Sequence, residues 1–316
     1  MVILLMGDVE LYDYEYDYVR RALDERGAET VTVDTGEWPA ETPATYEVSE
    51  RDVVLGERVD PASVSGVFTM GDAFDLPRPA HYGLADRDPR AAQRQIREWR
   101  SLFQSLVSVF ETHGARVTVA LDETYWDRIR PWMVELYHES GLPVPETTFT
   151  NDPDRLREFA DRHGPVFVTM VNGGSVPEPL DRSALTDELL ATLSTAPVKA
   201  QEFVPGEDAR GYVIDGEVVA VIRYDYDVDA ISWKRPAVDL GDIESTRIDP
   251  EPALHDAVRR AGELTPSSFT AVDLRLTDDG FVVLESNVPG RFGFHDRTGT
   301  TDVAGALADY LTGGDR

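Results

Sequence analysis

The stretch that most constrains this chain is DLRLTDDGFVVLESN, residues 273–287. Two apolar runs flank a DDG turn, the pattern of an antiparallel hairpin. Residues i and i+2 of a strand face the same side, so Glu285 and Asn287 point together, and the hairpin folds Asp273 back beside them. Two carboxylates and an amide on one face are hard oxygen donors. They suit Mg2+, or Mn2+, held against phosphates. The competing reading is a solvated acidic hairpin, and burial of the side chains separates the two.

Acid is plentiful in the rest of the chain. The 316 residues include 59 acidic and 30 basic ones, a net charge of -29. The length suggests two or three compact units with a sizeable core. An apolar content of 41% argues against disorder despite the charge. Lys199 and Lys234 are the two lysines, so 30 − 2 leaves 28 arginines. Such lysine-poor acidity resembles proteins adapted to multimolar salt, where screening shortens the Debye length to about 3 Å. It also opposes a nucleic-acid partner. The absence of cysteine excludes disulfides and thiolate chemistry. The apolar start, Met1 to Met6, is cut short by Gly7 and Asp8, so it reads as a strand rather than a signal peptide. No run approaches the roughly 18 apolar residues of a membrane helix. The expectation is a soluble, cytoplasmic protein without membrane partners.

Along the chain, VILLM (2–6), a helix over 14–26 and the strand ETVTVD give a β-α-β opening and hence a parallel sheet. Tyr12, Tyr14, Tyr16 and Tyr18 fall in the first turns of that helix. Residues 38–50 read as a loop, SGVFTM (65–70) as a buried strand and 75–90 as an irregular excursion. Ile96, Trp99, Phe103, Leu106 and Phe110 recur at three- and four-residue steps and form the apolar face of a helix ending near Gly114. RVTVALD (116–122) closes the first unit. Helices are expected over 127–139, 153–163, 183–194 and 251–263 and in TDVAGALADYL. Strands are expected in PVFVTMV and VKAQEFV, and a hairpin in GYVIDGEVVAVIRYDYD.

From about residue 115 onward this order of parts resembles the ATP-grasp superfamily, closest to the RimK-like ribosomal-protein glutamate ligases and the microviridin-type peptide ligases. GLPVPETTFTND is similar to their linker into the nucleotide lid, and VLESNVPGRFGF resembles their C-terminal signature. The resemblance implies an α/β fold with α+β lobes. A pre-grasp Rossmann-like domain would occupy 1–115, a central lid 116–198 and a metal-bearing lobe 199–316. In QEFV (Gln201, Glu202, Phe203, Val204), backbone groups of Glu202 and Val204 would touch adenine, and Glu207 would reach the ribose. Asp273, Glu285 and Asn287 would hold Mg2+ against ATP. Arg210, Arg223 and Arg235 would face the acceptor carboxylate or the transferred phosphoryl, with Arg291 and His295 as further substrate contacts. The activity implied is ATP-dependent joining of a carboxylate to an amine or hydroxyl, on an amino acid or peptide, in a homo-oligomer.

The chain departs from that pattern at two phosphate-contacting lysines. Arg130 stands at one, keeping the charge with different geometry. Thr169 stands at the other and carries no charge. Lys199 lies two residues before Gln201, on the same strand face, and offers a replacement cation. Thr169 keeps a second reading open, a nucleotide- or peptide-binding protein without turnover. A kinase that phosphorylates an alcohol is a third.

Overall fold

The opening run VILLM becomes an inner strand of a parallel sheet. The computed structural model describes residues 1–37, 43–70, 88–119, 126, 128–172, 179–225 and 244–314. They divide into two compact units. The first comprises Met1–Thr124, Ser267–Phe269 and Val288–Arg316, the second Tyr125–Pro266 and Thr270–Asn287.

In the first unit, β1 (Val2–Gly7) lies between β2 (Glu29–Asp34) and β6 (Val64–Phe68), and β7 (Arg116–Val117) completes the sheet, all neighbours being parallel. The connection from β1 to β2 is α1 (Asp13–Glu25), whose Tyr16 is fully buried while Tyr14 faces solvent. The helix α2 (Pro89–Thr112) starts at the Asp88 N-cap, and its Phe103, Leu106, Val107 and Phe110 enter the core beside Leu4, Met6 and Val67. A C-terminal helix, α7 (Val303–Thr312), packs on α1 and β6. Helices on both faces explain why β1 is apolar without alternation.

Part of the expected loop at 38–50 is strand. β3 (Ala44–Glu47), β4 (Asp52–Leu55) and β5 (Glu57–Val59) form an antiparallel meander whose Val53, Leu55 and Val59 join the same core. The expected irregular excursion as far as residue 87 and residues 120–122 of RVTVALD lie outside the described residues, while 88–90 instead open α2.

The second unit contains two antiparallel sheets. The smaller has the order β10 (Pro179–Leu180), β9 (Val166–Met170), β11 (Val198–Glu202), β8 (Thr147–Thr150). Its Val166, Val168, Val198 and Ala200 pack on α4 (Pro153–His163) through Leu156, Phe159 and Ala160. The larger has the order β14 (Glu244–Ile248), β13 (Glu217–Asp225), β12 (Glu207–Ile214), β15 (Phe269–Thr277), β16 (Gly280–Asn287). Asp215 and Gly216, both at positive φ, make the two-residue turn between β12 and β13 that the IDGE sequence foretells. The helix expected over 183–194 is broken into 3-10 turns around a short helix, α5 (Asp187–Ala191).

The back of the larger sheet is covered by α6 (Pro252–Leu264). The approach is close because glycines face it. A Cβ on Gly211 would lie 2.4 Å from Val258 Cγ1, and one on Gly262 would lie 2.6 Å from Val213 Cγ1. Gly211→Ala is therefore expected to lower stability by about 1–3 kcal/mol through overpacking, read from urea unfolding. A stability equal to the parent would show that α6 can back away from the sheet.

Candidate functional site

The hairpin of β15 and β16 brings together the three residues that its sequence singles out. Asp273 is directly opposite Glu285, and Ala271 opposite Asn287, so all three polar side chains share a face. A bulge follows the Asp273–Glu285 pair, where Val283 and Leu284 oppose Leu274. Asn287 Nδ2 donates to Asp273 Oδ2 at 3.0 Å. Asp273 is 5% exposed and Glu285 8%, which rejects the solvated-hairpin reading.

Buried carboxylates need partners, and these have them. Arg210 on β12 clamps Asp273 with two bonds, Nε to Oδ1 at 2.7 Å and Nη2 to Oδ2 at 3.0 Å. One residue pair along the same strands, Arg275 Nη1 donates to Asp208 Oδ1 at 2.9 Å. Asp208, Arg210 and Tyr212 alternate along β12, so they stand on one face beside Asp273 and Arg275 of β15. Burial works against the Arg210 cation, but the Asp273 carboxylate leads the interactions that outweigh it and hold its pKa well above the ordinary value. Burial pushes the phenols of Tyr212 and Tyr224 up, so both stay protonated beside it.

Glu285 is held differently. α3 (Arg130–Glu139) packs along β16, which is the edge strand of the larger sheet. Its Tyr137 hydroxyl meets Ser286 Oγ. Arg130, at the first turn of α3, pairs with Glu285 Oε2. Arg130 is 5% exposed, and its Nε is buried with no hydrogen-bond partner among the described residues. An unmet buried donor costs about 1–3 kcal/mol, which an incoming acceptor oxygen would recover.

The smaller sheet contributes its other face. Lys199 is directly opposite Thr169 on β9 and Phe149 on β8, and Gln201 is opposite Phe167 and Thr147. These residues lie on the face turned away from the Val166–Ala200 core. From there Lys199 Nζ reaches to 3.9 Å from Glu285 Oε2, the same oxygen that Arg130 holds. The two sheets of this unit therefore meet at Glu285.

The segment GLPVPET ties them at one side. Pro143 O accepts from Val283 N on β16 at 2.7 Å, and Glu146 O accepts from Glu202 N at 3.0 Å. Glu202 Oε1 in turn accepts from Glu146 N at 3.0 Å. Gln201 is buried, its Nε2 donating to Thr147 Oγ1 at 3.0 Å. The Phe203 ring meets Phe167 edge-on, with centroids 5.5 Å apart. Phe203 N donates to Pro165 O, whereas Val204 N has no backbone partner among the described residues.

Other expected residues lie elsewhere. Arg223 is opposite Ala209, on the sheet face away from Arg210, and pairs with Asp225 at 3.2 Å and with the exposed Glu207 at 3.7 Å. Arg291 belongs to the first unit, 3.5 Å from the buried Glu15, and His295 is buried in that unit. Arg235 lies outside the described residues. The sequence reading missed Asp208, Arg275, Tyr212 and Tyr224. Polar residues at every second position of EDARGY and of DLR, on strands that should be buried, were the available signal.

Could this spot hold a divalent cation? Its donors are two carboxylates and one amide on adjacent strands, which fits Mg2+. Among the described residues no group of three or more His, Cys, Asp or Glu gathers as a metal site. An ion here would draw few ligands from the protein and take the rest from phosphate and water.

No family model matches the chain. Over 196 residues it is 28% identical to a probable alpha-L-glutamate ligase of Aliivibrio salmonicida, covering 58% of this chain and 62% of that protein. Over 217 residues it is 27% identical to a probable alpha-L-glutamate ligase of Psychromonas ingrahamii, covering 64% and 68%. The chain thus spans about three fifths of the length of the first of these relatives. Among solved structures, the ATP-grasp ligase PsnB complexed with a phosphomimetic variant of its minimal precursor, Mg and ADP matches with TM-score 0.81 and 26% identity, covering 98% of this chain and 97% of that one. PsnB with precursor peptide PsnA2 and AMPPNP gives TM-score 0.78 at 26% identity, covering 99% and 96%. The macrocyclase MdnC bound with precursor peptide MdnA from Microcystis aeruginosa MRC shares the fold, with TM-score 0.79 at 15% identity over 99% and 100% of the chains.

Proposed function

Because the chain has the ATP-grasp fold, we propose that it is an ATP- and Mg2+-dependent ligase. It would join a carboxylate to an amine or hydroxyl through an acyl phosphate, on a peptide. The observation that carries this reading is the meeting of Asp273, Glu285 and Asn287 on one buried face, with Lys199 of the other sheet reaching the same carboxylate. The relatives named as glutamate ligases and the PsnB complexes with precursor peptides support a peptide or amino-acid substrate.

The chemistry follows from charge. A carboxylate is a poor acylating agent because its leaving group would be oxide. Transfer of the terminal phosphoryl group of ATP onto it releases ADP and makes phosphate the leaving group. The amine or hydroxyl then attacks the acyl carbon, loses its proton and expels phosphate. The protein's share is positioning and charge compensation, and no covalent protein nucleophile is needed. Asp273, Glu285 and Asn287 would hold Mg2+, which when bound offsets negative charge on the phosphates. Arg130 brings a buried cation with an unmet donor to the same oxygen. Val204 N and the rings of Phe167 and Phe203 would orient the base. Arg210 would hold Asp273 in place through its two bonds.

Substrate-stimulated ADP release tests the reading. The protein is incubated with ATP, Mg2+ and a mixed amino-acid and peptide pool in molar KCl, which screens its net charge of -29. A ligase gives ADP together with a product whose mass is the sum of two substrates less one water. Tight binding of ATP without ADP release would favour instead the nucleotide-binding reading, which rests on the neutral Thr169.

A further inference from the structure

We propose that Lys199 is the phosphate-contacting cation of this site, set on β11 in place of its cross-strand neighbour on β9. The inference rests on the nucleotide-binding part of the function proposed above.

Three observations carry it. Lys199 stands on the sheet face that bears Gln201, Thr169 and Phe167, opposite the face that packs on α4. Its ammonium lies 3.9 Å from Glu285 Oε2, so it is already among the residues placed to hold a metal–phosphate group. The chain also uses arginine for 28 of its 30 basic positions, yet has a lysine here. An ammonium is a compact point charge on a flexible stem, and can leave Glu285 for a phosphate oxygen without the planar, two-pronged geometry that a guanidinium demands.

The register says where else this charge could stand. Thr169 is the direct cross-strand partner of Lys199 on the same face, and is half-buried. Direct partners have Cβ atoms about 5 Å apart, well within the reach of a lysine stem. The cation is therefore fixed by its place on the face and can be served from either strand.

Binding of AMPPNP and of AMP, each with Mg2+, tests this in the full chain. Lys199→Ala is expected to weaken AMPPNP at least 10-fold and AMP less than 2-fold. The exchange variant Thr169→Lys/Lys199→Thr is expected to return AMPPNP affinity to within about 3-fold of the parent. Unchanged AMPPNP affinity in Lys199→Ala would overturn the proposal. So would an equal loss of AMP and AMPPNP, which marks general damage to the sheet, and so would an exchange variant as weak as Lys199→Ala. A parent protein that binds neither nucleotide would overturn the proposed function itself.

Discussion

Glu285→Gln is expected to abolish substrate-stimulated ADP release, with a loss on the order of 10³-fold or more. Glu285, on the larger sheet, is approached by two cations, Arg130 from α3 and Lys199 from β11 of the smaller sheet. The amide keeps shape and one acceptor but removes the charge that a divalent cation needs. It also leaves two cations beside a neutral group, and Arg130 is almost wholly buried. Stability should fall by about 1–3 kcal/mol, too little to unfold the protein. Turnover and thermal unfolding measured on the same preparation keep the two effects apart. A Glu285→Gln protein that still releases ADP at a tenth of the parent rate would remove Glu285 from the chemistry.

The second large effect concerns stability. Arg210→Ala is expected to cost about 3–5 kcal/mol, because it strands the Asp273 carboxylate in a site that is 5% exposed. For a unit of this size that loss lowers the melting temperature by roughly 10 °C. The double variant Arg210→Ala/Asp273→Ala should be less destabilised than the sum of the two single changes, with a coupling of about 2 kcal/mol, since neither charge is then left alone. The resemblance to known ligases assigns Arg210 to the substrate or the transferred phosphoryl group, whereas the bidentate pair makes it a residue that positions Asp273. An Arg210→Ala protein as stable as the parent but catalytically dead would favour the substrate-facing role.

The sequence showed the hairpin of β15 and β16 and the shared face of Asp273, Glu285 and Asn287 because a period of two and a DDG turn are local properties. The same holds for α2, whose apolar face is complete within one helix, and for the turn at Asp215–Gly216. The position of Lys199 beside Glu285 followed only partly. Strand alternation put it on the face of Gln201, but its pairing with Thr169 and its reach to Glu285 depend on tertiary structure. The ladder of Asp208, Arg210, Asp273 and Arg275 joins residues 63 and 67 positions apart, and no spacing within either strand reveals it. The interrupted helix at 183–194 has a local cause that the apolar pattern hid. Thr186 Oγ1 caps a new helix by accepting from Leu189 N, and the hydroxyls of Thr192, Ser194 and Thr195 bond back to carbonyls three residues earlier. The meander of β3 to β5 was missed because its strands are three or four residues long, too short for alternation to show, and their apolar residues find partners on neighbouring strands, Val59 opposite Val53 and Leu55 opposite Ala44.

Calorimetric titration of AMPPNP into the protein, with and without Mg2+, addresses the central claim most directly. The expected result is saturable binding to one site that strengthens at least 10-fold with Mg2+ and loses that dependence in Asp273→Asn and Glu285→Gln. Binding that is indifferent to Mg2+, or Mg2+ dependence that survives both substitutions, would contradict it.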